Sequence, residues 1–205
     1  MAIATRGDYL CGMIKTRLLL SGAICLALLP ASSLQAAKKP KTKPSPAAAL
    51  APVADPGPAK SLGSVGSWTA YLAQNKTGKV CYLVGQPEKT EPAGMKRKVV
   101  MAMVTHRTED NVSNVVSFGE GYPLNEDDDV TVGVGADKFP LFAKDDTAWA
   151  RTADLDKAIV TALAKEKQAV VKGMPKKGRP TVDTYSLNGF SKALALIDKA
   201  CDVKR

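Results

Sequence analysis

The segment KVCYLVGQ, Lys79 to Gln86, decides how the rest of the chain is read. It is a strand-like run with one cysteine at its centre, and the next cysteine, Cys201, lies more than a hundred residues downstream. Cys81 is therefore a nucleophile, a metal ligand or one end of a long-range disulfide. The choice depends on the compartment and on the element that carries Cys201.

The compartment is written near the amino end. Lys15 and Arg17 precede LLLSGAICLALL, Leu18 to Leu29, and then Pro30 and the small-residue stretch ASSLQAA. A basic flank, a short apolar run and a small-residue cleavage site make a secretory signal over residues 1–36, with cleavage after Ala36 or Ala37. Met13 offers a more ordinary start than Met1. The apolar run is shorter than the roughly 20 residues that span a bilayer, so no transmembrane helix is expected in the mature chain. Cys11 and Cys25 leave with the signal. Cys81 and Cys201 remain, in a compartment where disulfides persist.

Residues 37–66, rich in Pro, Ala, Lys and Gly and nearly free of large apolar side chains, read as a disordered or polyproline-like linker. Residues 67–205 then form one domain with one core. SWTAYLA, KVCYLVG, KVVMAMVTHR, NVSNVVSFG, DVTVGVG, DKFPLFA, TAWA, QAVVKGM and PTVDTYSL are its candidate strands. In the third, Val100, Ala102 and Val104 share one face and Val99, Met101 and Met103 the other, which predicts a central position.

Two segments change period. In TADLDKAIVTALAKEK, Leu155, Ala158, Ile159, Ala162 and Leu163 mark one helical face, with Thr152 as candidate cap. In NGFSKALALIDKAC, Phe190, Leu194, Ile197 and Cys201 lie on one face, with Asn188 or Ser191 as cap. Cys201 thus points inward, and the expected arrangement is a Cys81 to Cys201 disulfide fastening the last helix to the sheet. A reactive thiol or a metal site would need low-pKa surroundings or further ligands.

Catalytic signals are sparse. The single histidine, His106, has Glu109 and Asp110 nearby, so a hydrolase using His106 with a carboxylate is the alternative reading, though no nucleophile elbow accompanies it. NEDDD, Asn125 to Asp129, begins like a calcium loop, but Val130 and Ala136 stand where that loop needs glycine and glutamate. It is read as an acidic hairpin turn, and no metal or cofactor is assigned. After removal of Arg6, Lys15, Arg17 and Asp8, 26 Lys and Arg face 19 Asp and Glu. Such an excess favours anionic partners, and an exported protein seldom meets nucleic acid. Lys172, Lys176, Lys177 and Arg179 are the candidate anion-binding residues.

In their order, WTAYLAQNKTGKVCYLVGQPEKTEP, VTHRTEDNVSNVVSFGEGYPL, KFPLFAKDDTAW and DTYSLNGFSKAL with the terminal AC make a chain that resembles the invasion-associated locus B family of exported proteobacterial proteins. The resemblance runs from Trp68 to Cys201. It implies a mainly β domain with flanking helices, in the periplasm or at the outer surface, and in some members a link to entry into host cells. It supplies no catalytic activity. The chain departs from the family pattern at Val115, where a carboxylate is usual, and at Met174 and Pro175, where small polar residues are.

The expectation is a mainly β (α+β), antiparallel sandwich-like domain with two flanking helices, one of them C-terminal. As a function it points to a non-enzymatic envelope protein that binds an anionic component, lipopolysaccharide or cell-wall polymer, or an envelope protein.

Overall fold

The computed structural model describes residues 58–205. Among these, the strands are Lys60–Val65 (β1), Trp68–Gln74 (β2), Lys79–Gly85 (β3), Lys89–Glu91 (β4), Met101–Arg107 (β5), Val112–Gly119 (β6), Val130–Val134 (β7), Asp137–Lys144 (β8), Thr147–Trp149 (β9), Gln168–Gly173 (β10) and Thr181–Ser186 (β11). Helix α1, Ala153–Leu163, lies between β9 and β10, and α2, Phe190–Ala200, follows β11. The architecture is mostly antiparallel sheet with two helices, one C-terminal, in a sandwich-like arrangement.

The strands form one continuous ladder in the order β1-β2-β3-β5-β6-β9-β8-β7-β10-β11-β4. β8 turns that ladder into two layers. Its first part, Asp137 to Leu141, pairs with β7, and its last three residues, Phe142 to Lys144, pair with β9. A strand that changes partners along its length makes a corner between sheets. The inner faces then meet: Trp68, Leu83, Val104, Val116 and Phe118 from one layer, and Val132, Val134, Val171 and Tyr185 from the other. Ile159, Val160 and Leu163 of α1 and Phe190, Leu194 and Ile197 of α2 join the same core.

The predicted strands all occur, and β5 sits centrally between β3 and β6. Its two faces differ, however. Ala102, Val104 and His106 are buried, while Met101, Met103 and Thr105 are half-exposed on the outer face, where Tyr71 and Tyr82 stack at 5.2 Å. β5 also begins at Met101, leaving Val99 and Val100 in the preceding loop.

The linker boundary requires correction. Lys60–Val65, placed in the linker, forms β1 and pairs with β2. Small residues hid it: KSLGSV carries few large side chains, and its Gly63 takes a positive φ of 144° that other residues rarely adopt. The signal sequence and residues 37–57 lie outside the described residues. Short, exposed β4, paired to Val182 through Thr184 of β11, was also not foreseen.

Thr152 caps α1 as expected, its hydroxyl accepting the Leu155 N–H at 3.2 Å. Helix α2 is capped by neither Asn188 nor Ser191. Its N-cap is Gly189, at φ 89°, without a side-chain hydrogen bond. The Ser191 hydroxyl instead donates to the Ala164 carbonyl at 2.8 Å. Glycine is required at 189 by a close approach: a Cβ there would lie 2.0 Å from the Val65 carbonyl oxygen in the β1–β2 turn.

Candidate functional site

Cys81 on β3 and Cys201 at the C-cap of α2 are joined, with their Cα atoms 6.0 Å apart. Both are buried. The helical phase of Phe190, Leu194 and Ile197 carries Cys201 onto the inner face of β3, so the cysteines act as a structural clasp.

His106 lies opposite Cys81 on the neighbouring strand. Its ring is 1% exposed and both nitrogens are engaged. Nδ1 accepts the Asn114 backbone N–H at 3.0 Å, so it carries no proton, and Nε2 donates to Asp198 Oδ1 at 2.9 Å. Asp198 comes from α2 and receives Arg205 on both oxygens, at 2.6 and 2.9 Å. Burial opposes ionisation of Asp198, but the His106 and Arg205 hydrogen bonds outweigh it and hold the carboxyl below its usual range. The expected partners of His106 are occupied elsewhere. Asp110 pairs with Arg107, and Glu109 accepts from the Thr77 hydroxyl. The arrangement locks α2 to the sheet and leaves neither ring nitrogen free to take a proton from a substrate.

A second buried polar cluster had no sequence signal, because its members are scattered. Arg97, in the loop before β5, binds both Asp183 oxygens, at 2.7 and 2.6 Å, and Glu120 Oε2 at 3.0 Å. The Arg97 side chain is 6% exposed and both carboxylates are 0% exposed. The Tyr122 hydroxyl donates to Glu120 and hydrogen-bonds Thr181, while its ring lies under the Arg97 guanidinium at 4.9 Å. Burial, then the neighbouring Asp183, push the Glu120 carboxyl up to about 7, against the opposing pull of Arg97. Two carboxylates for one guanidinium in a dry site explain the direction. Glu120 Oε1 and the Tyr185 hydroxyl are buried here without a hydrogen-bond partner.

Asp156 is a fourth buried acid. β9 ends at Trp149, opposite Ser117, so the next β6 amide lacks a strand partner on that side. Asp156 of α1 supplies the acceptor, taking the Val116 N–H at 2.8 Å. Burial pushes this carboxyl up to about 7, and the Val116 bond only partly offsets it.

The predicted anion-binding residues come together around the β10–β11 hairpin. Lys172 lies on the outer face of β10, and Lys176, Lys177 and Arg179 are in the connecting loop. All four are exposed, and none takes part in an ion pair among the described residues. The loop is braced from beneath: buried Pro175 bridges to Leu124, Lys176 N–H donates to the Pro123 carbonyl, and Asn125 N–H to that of Met174. Residues 125–129 are therefore no hairpin turn of their own. They belong to the long β6–β7 connection and lie against the basic hairpin. The Asp145 N–H and Lys144 hold Glu126 below the usual carboxylate range, and Lys176 adds to the effect. Among the described residues no group of three or more His, Cys, Asp or Glu could hold a metal ion. An open cleft of about 650 Å³ between α1 and the β7–β8 hairpin has an apolar floor of Ala158, Ala162 and Phe139 and charges of both signs at its rim.

A family model described as "Invasion associated locus B (IalB) protein" matches residues 68–198. The chain belongs to this family. No curated protein and no solved structure matches it. The IalB match runs from the first residue of β2 to Asp198, the carboxylate that holds His106. β1 and Cys201 fall outside it. IalB proteins are an exported family and not a known enzyme family. No helix among the described residues is long and apolar enough to cross a membrane.

Proposed function

We propose that this IalB protein is a non-catalytic component of the cell envelope, in the periplasm or at the outer surface, whose basic hairpin binds an anionic envelope component. The observation that carries this reading is the exposed set Lys172, Lys176, Lys177 and Arg179, free of ion pairs among the described residues and mounted on a braced loop. Surface cations outside ion pairs remain available to an external polyanion, although Glu126 draws on part of the Lys176 charge, and that attraction is screened by salt. Lysine and arginine side chains suit the phosphate and carboxylate groups of lipopolysaccharide or cell-wall polymer. A part in host-cell entry rests on the family's description alone.

Binding of the protein to lipopolysaccharide and to cell-wall fragments, measured across a salt series, tests the reading. Affinity should fall as salt rises and should fall again when Lys176, Lys177 and Arg179 are changed to Gln. Affinity indifferent to both changes would overturn the electrostatic site. Affinity capture from the envelope that returned one protein and no polymer would replace the anionic ligand with a protein partner.

A further inference from the structure

The loop that delivers Arg97 to the buried cluster, residues 92–100, connects β4 at the edge of one layer to β5 in the other. Its side chains are sorted sharply. Arg97 turns inward to Asp183 and Glu120, and Met95 packs on the core, while Lys96, Lys98 and Val99 face out. Val99 is 61% exposed and is the only large hydrophobic side chain so exposed among the described residues. Lys96 and Lys98 take part in no ion pair there.

This strap and the basic hairpin share one support. Lys98 N–H donates to the Gly121 carbonyl at 2.9 Å, and Lys176 N–H donates to the Pro123 carbonyl at 3.0 Å. Two residues of chain span at most about 7 Å, so the Lys98 and Lys176 backbones lie within about 15 Å of each other. Tyr122, between the two carbonyls, is itself pinned by Arg97, Glu120 and Thr181. The buried cluster thus fixes the relative position of two loops that are remote in sequence, and brings Lys96 and Lys98 near Lys176, Lys177 and Arg179 on one rim, with Glu126 beside Lys176 as its acidic neighbour. At the edge of that rim stands a bare valine.

We infer that the strap and the hairpin together dock the protein on an anionic lipid surface, the cations meeting headgroup phosphates and Val99 entering the interface. The inference rests on the proposed anion-binding function and names the lipid headgroup as its ligand. A soluble or cell-wall polyanion would need only the charges. An exposed apolar side chain among them adds nothing in water, whereas at a membrane surface a basic patch combined with an apolar side chain supplies two signals for binding. Each lysine held near an anionic surface strengthens binding about fivefold, and burying a valine adds up to about tenfold.

The test is co-sedimentation of the exported chain, without the apolar run Leu18 to Leu29 and with its disulfide intact, with phosphatidylcholine vesicles containing or lacking phosphatidylglycerol. Inorganic polyphosphate is the soluble comparison. The pair Lys96→Gln and Lys98→Gln should weaken binding to anionic vesicles roughly twentyfold. The control pair Lys157→Gln, on α1, and Lys165→Gln, in the turn that follows it, should leave it unchanged. Val99→Asn should weaken vesicle binding three- to tenfold and leave polyphosphate binding intact. If the hairpin substitutions weaken binding and the strap substitutions do not, the inference fails and the proposed function stands. If neither set matters, both fail. Equal loss on vesicles and polyphosphate with Val99→Asn inert would overturn the lipid surface. All these side chains are exposed, and an unchanged thermal transition verifies that the variants fold.

Discussion

Asp156 makes the stability of this fold depend on pH in a direction opposite to that of an ordinary surface acid. Its carboxyl is moved by burial from 3.8 to about 7. In the unfolded chain the group titrates near 4, so between about pH 4 and 7 the native state binds a proton that the unfolded state does not. Stability is then greatest below the unfolded value and is lost as pH rises through about 7. The displacement corresponds to roughly 4 kcal/mol at 1.36 kcal/mol per pH unit, an upper value because solvent relaxation screens part of the burial cost. Glu120, also pushed up to about 7, adds a loss of the same sign. Asp198, held low by His106 and Arg205, has the opposite sign and loses its contribution only as the medium becomes strongly acid. Asp156→Asn keeps an oxygen for the Val116 N–H and removes the titration. Urea unfolding at pH 5, 6, 7 and 8 should give wild-type protein whose stability falls across the series. In Asp156→Asn the fall should be smaller by about 1–2.5 kcal/mol, since the part of the displacement below pH 5 lies outside the series, with the variant the more stable of the two at pH 8. Parallel curves for the two proteins, or a wild-type curve that rises with pH, would refute the account of Asp156 as a buried acid that resists ionisation.

Exchanging both cysteines for serine opens a loop with a sequence separation of 120. Chain entropy predicts a loss of about 5 kcal/mol in the unfolding free energy. Thiol labelling of the exported protein, from which Cys11 and Cys25 have been removed, should find no free thiol when it is unreduced and denatured, and two labelled cysteines per chain would make Cys81 a reactive candidate again. Arg97→Ala leaves Asp183 and Glu120 buried without their cation and should cost about 3–5 kcal/mol by denaturant unfolding; a loss under 1 kcal/mol would mean the cluster is hydrated. Gly189→Ala meets both a positive φ and the Val65 oxygen at 2.0 Å, whereas Gly94→Ala has a positive φ with nothing within 4 Å. The first should therefore cost well over the roughly 1–2 kcal/mol expected for the second by denaturant unfolding, and equal losses would show that the β1–β2 turn yields easily.

Local periodicity made much of the fold legible. Period-2 runs announced the strands, the spacing of Leu155, Ile159 and Leu163 announced α1, and the phase of Cys201 on α2 announced the partner of Cys81. Where an element draws its stability from a neighbour, the signal was missing. KSLGSV contains little that a strand prefers and is held by pairing with β2 and by α2 beneath it. KTE is too short to show alternation at all. Asn188 has the chemistry of a cap, yet the approach of the β1–β2 turn leaves room only for Gly189 in that place.

The basic hairpin was likewise legible, because Lys172, Lys176, Lys177 and Arg179 are neighbours in the chain. Its continuation through Lys96 and Lys98 was not. Nothing in KRK distinguishes the middle residue, which turns inward to two carboxylates 23 and 86 positions away, from the two that face out. His106 taught the same lesson in reverse: Glu109 and Asp110 were the carboxylates in view, and the one that reaches the ring lies 92 positions on. Composition and periodicity follow from interactions between near neighbours in the chain, so the sequence by itself determined the class of fold, the helices, the partner of Cys81 and the sign of the surface charge. Which buried acids meet which bases, and which lysines share a surface, depend on how the ladder turns at β8 and on the loops that turn brings together. Only the tertiary structure decided those.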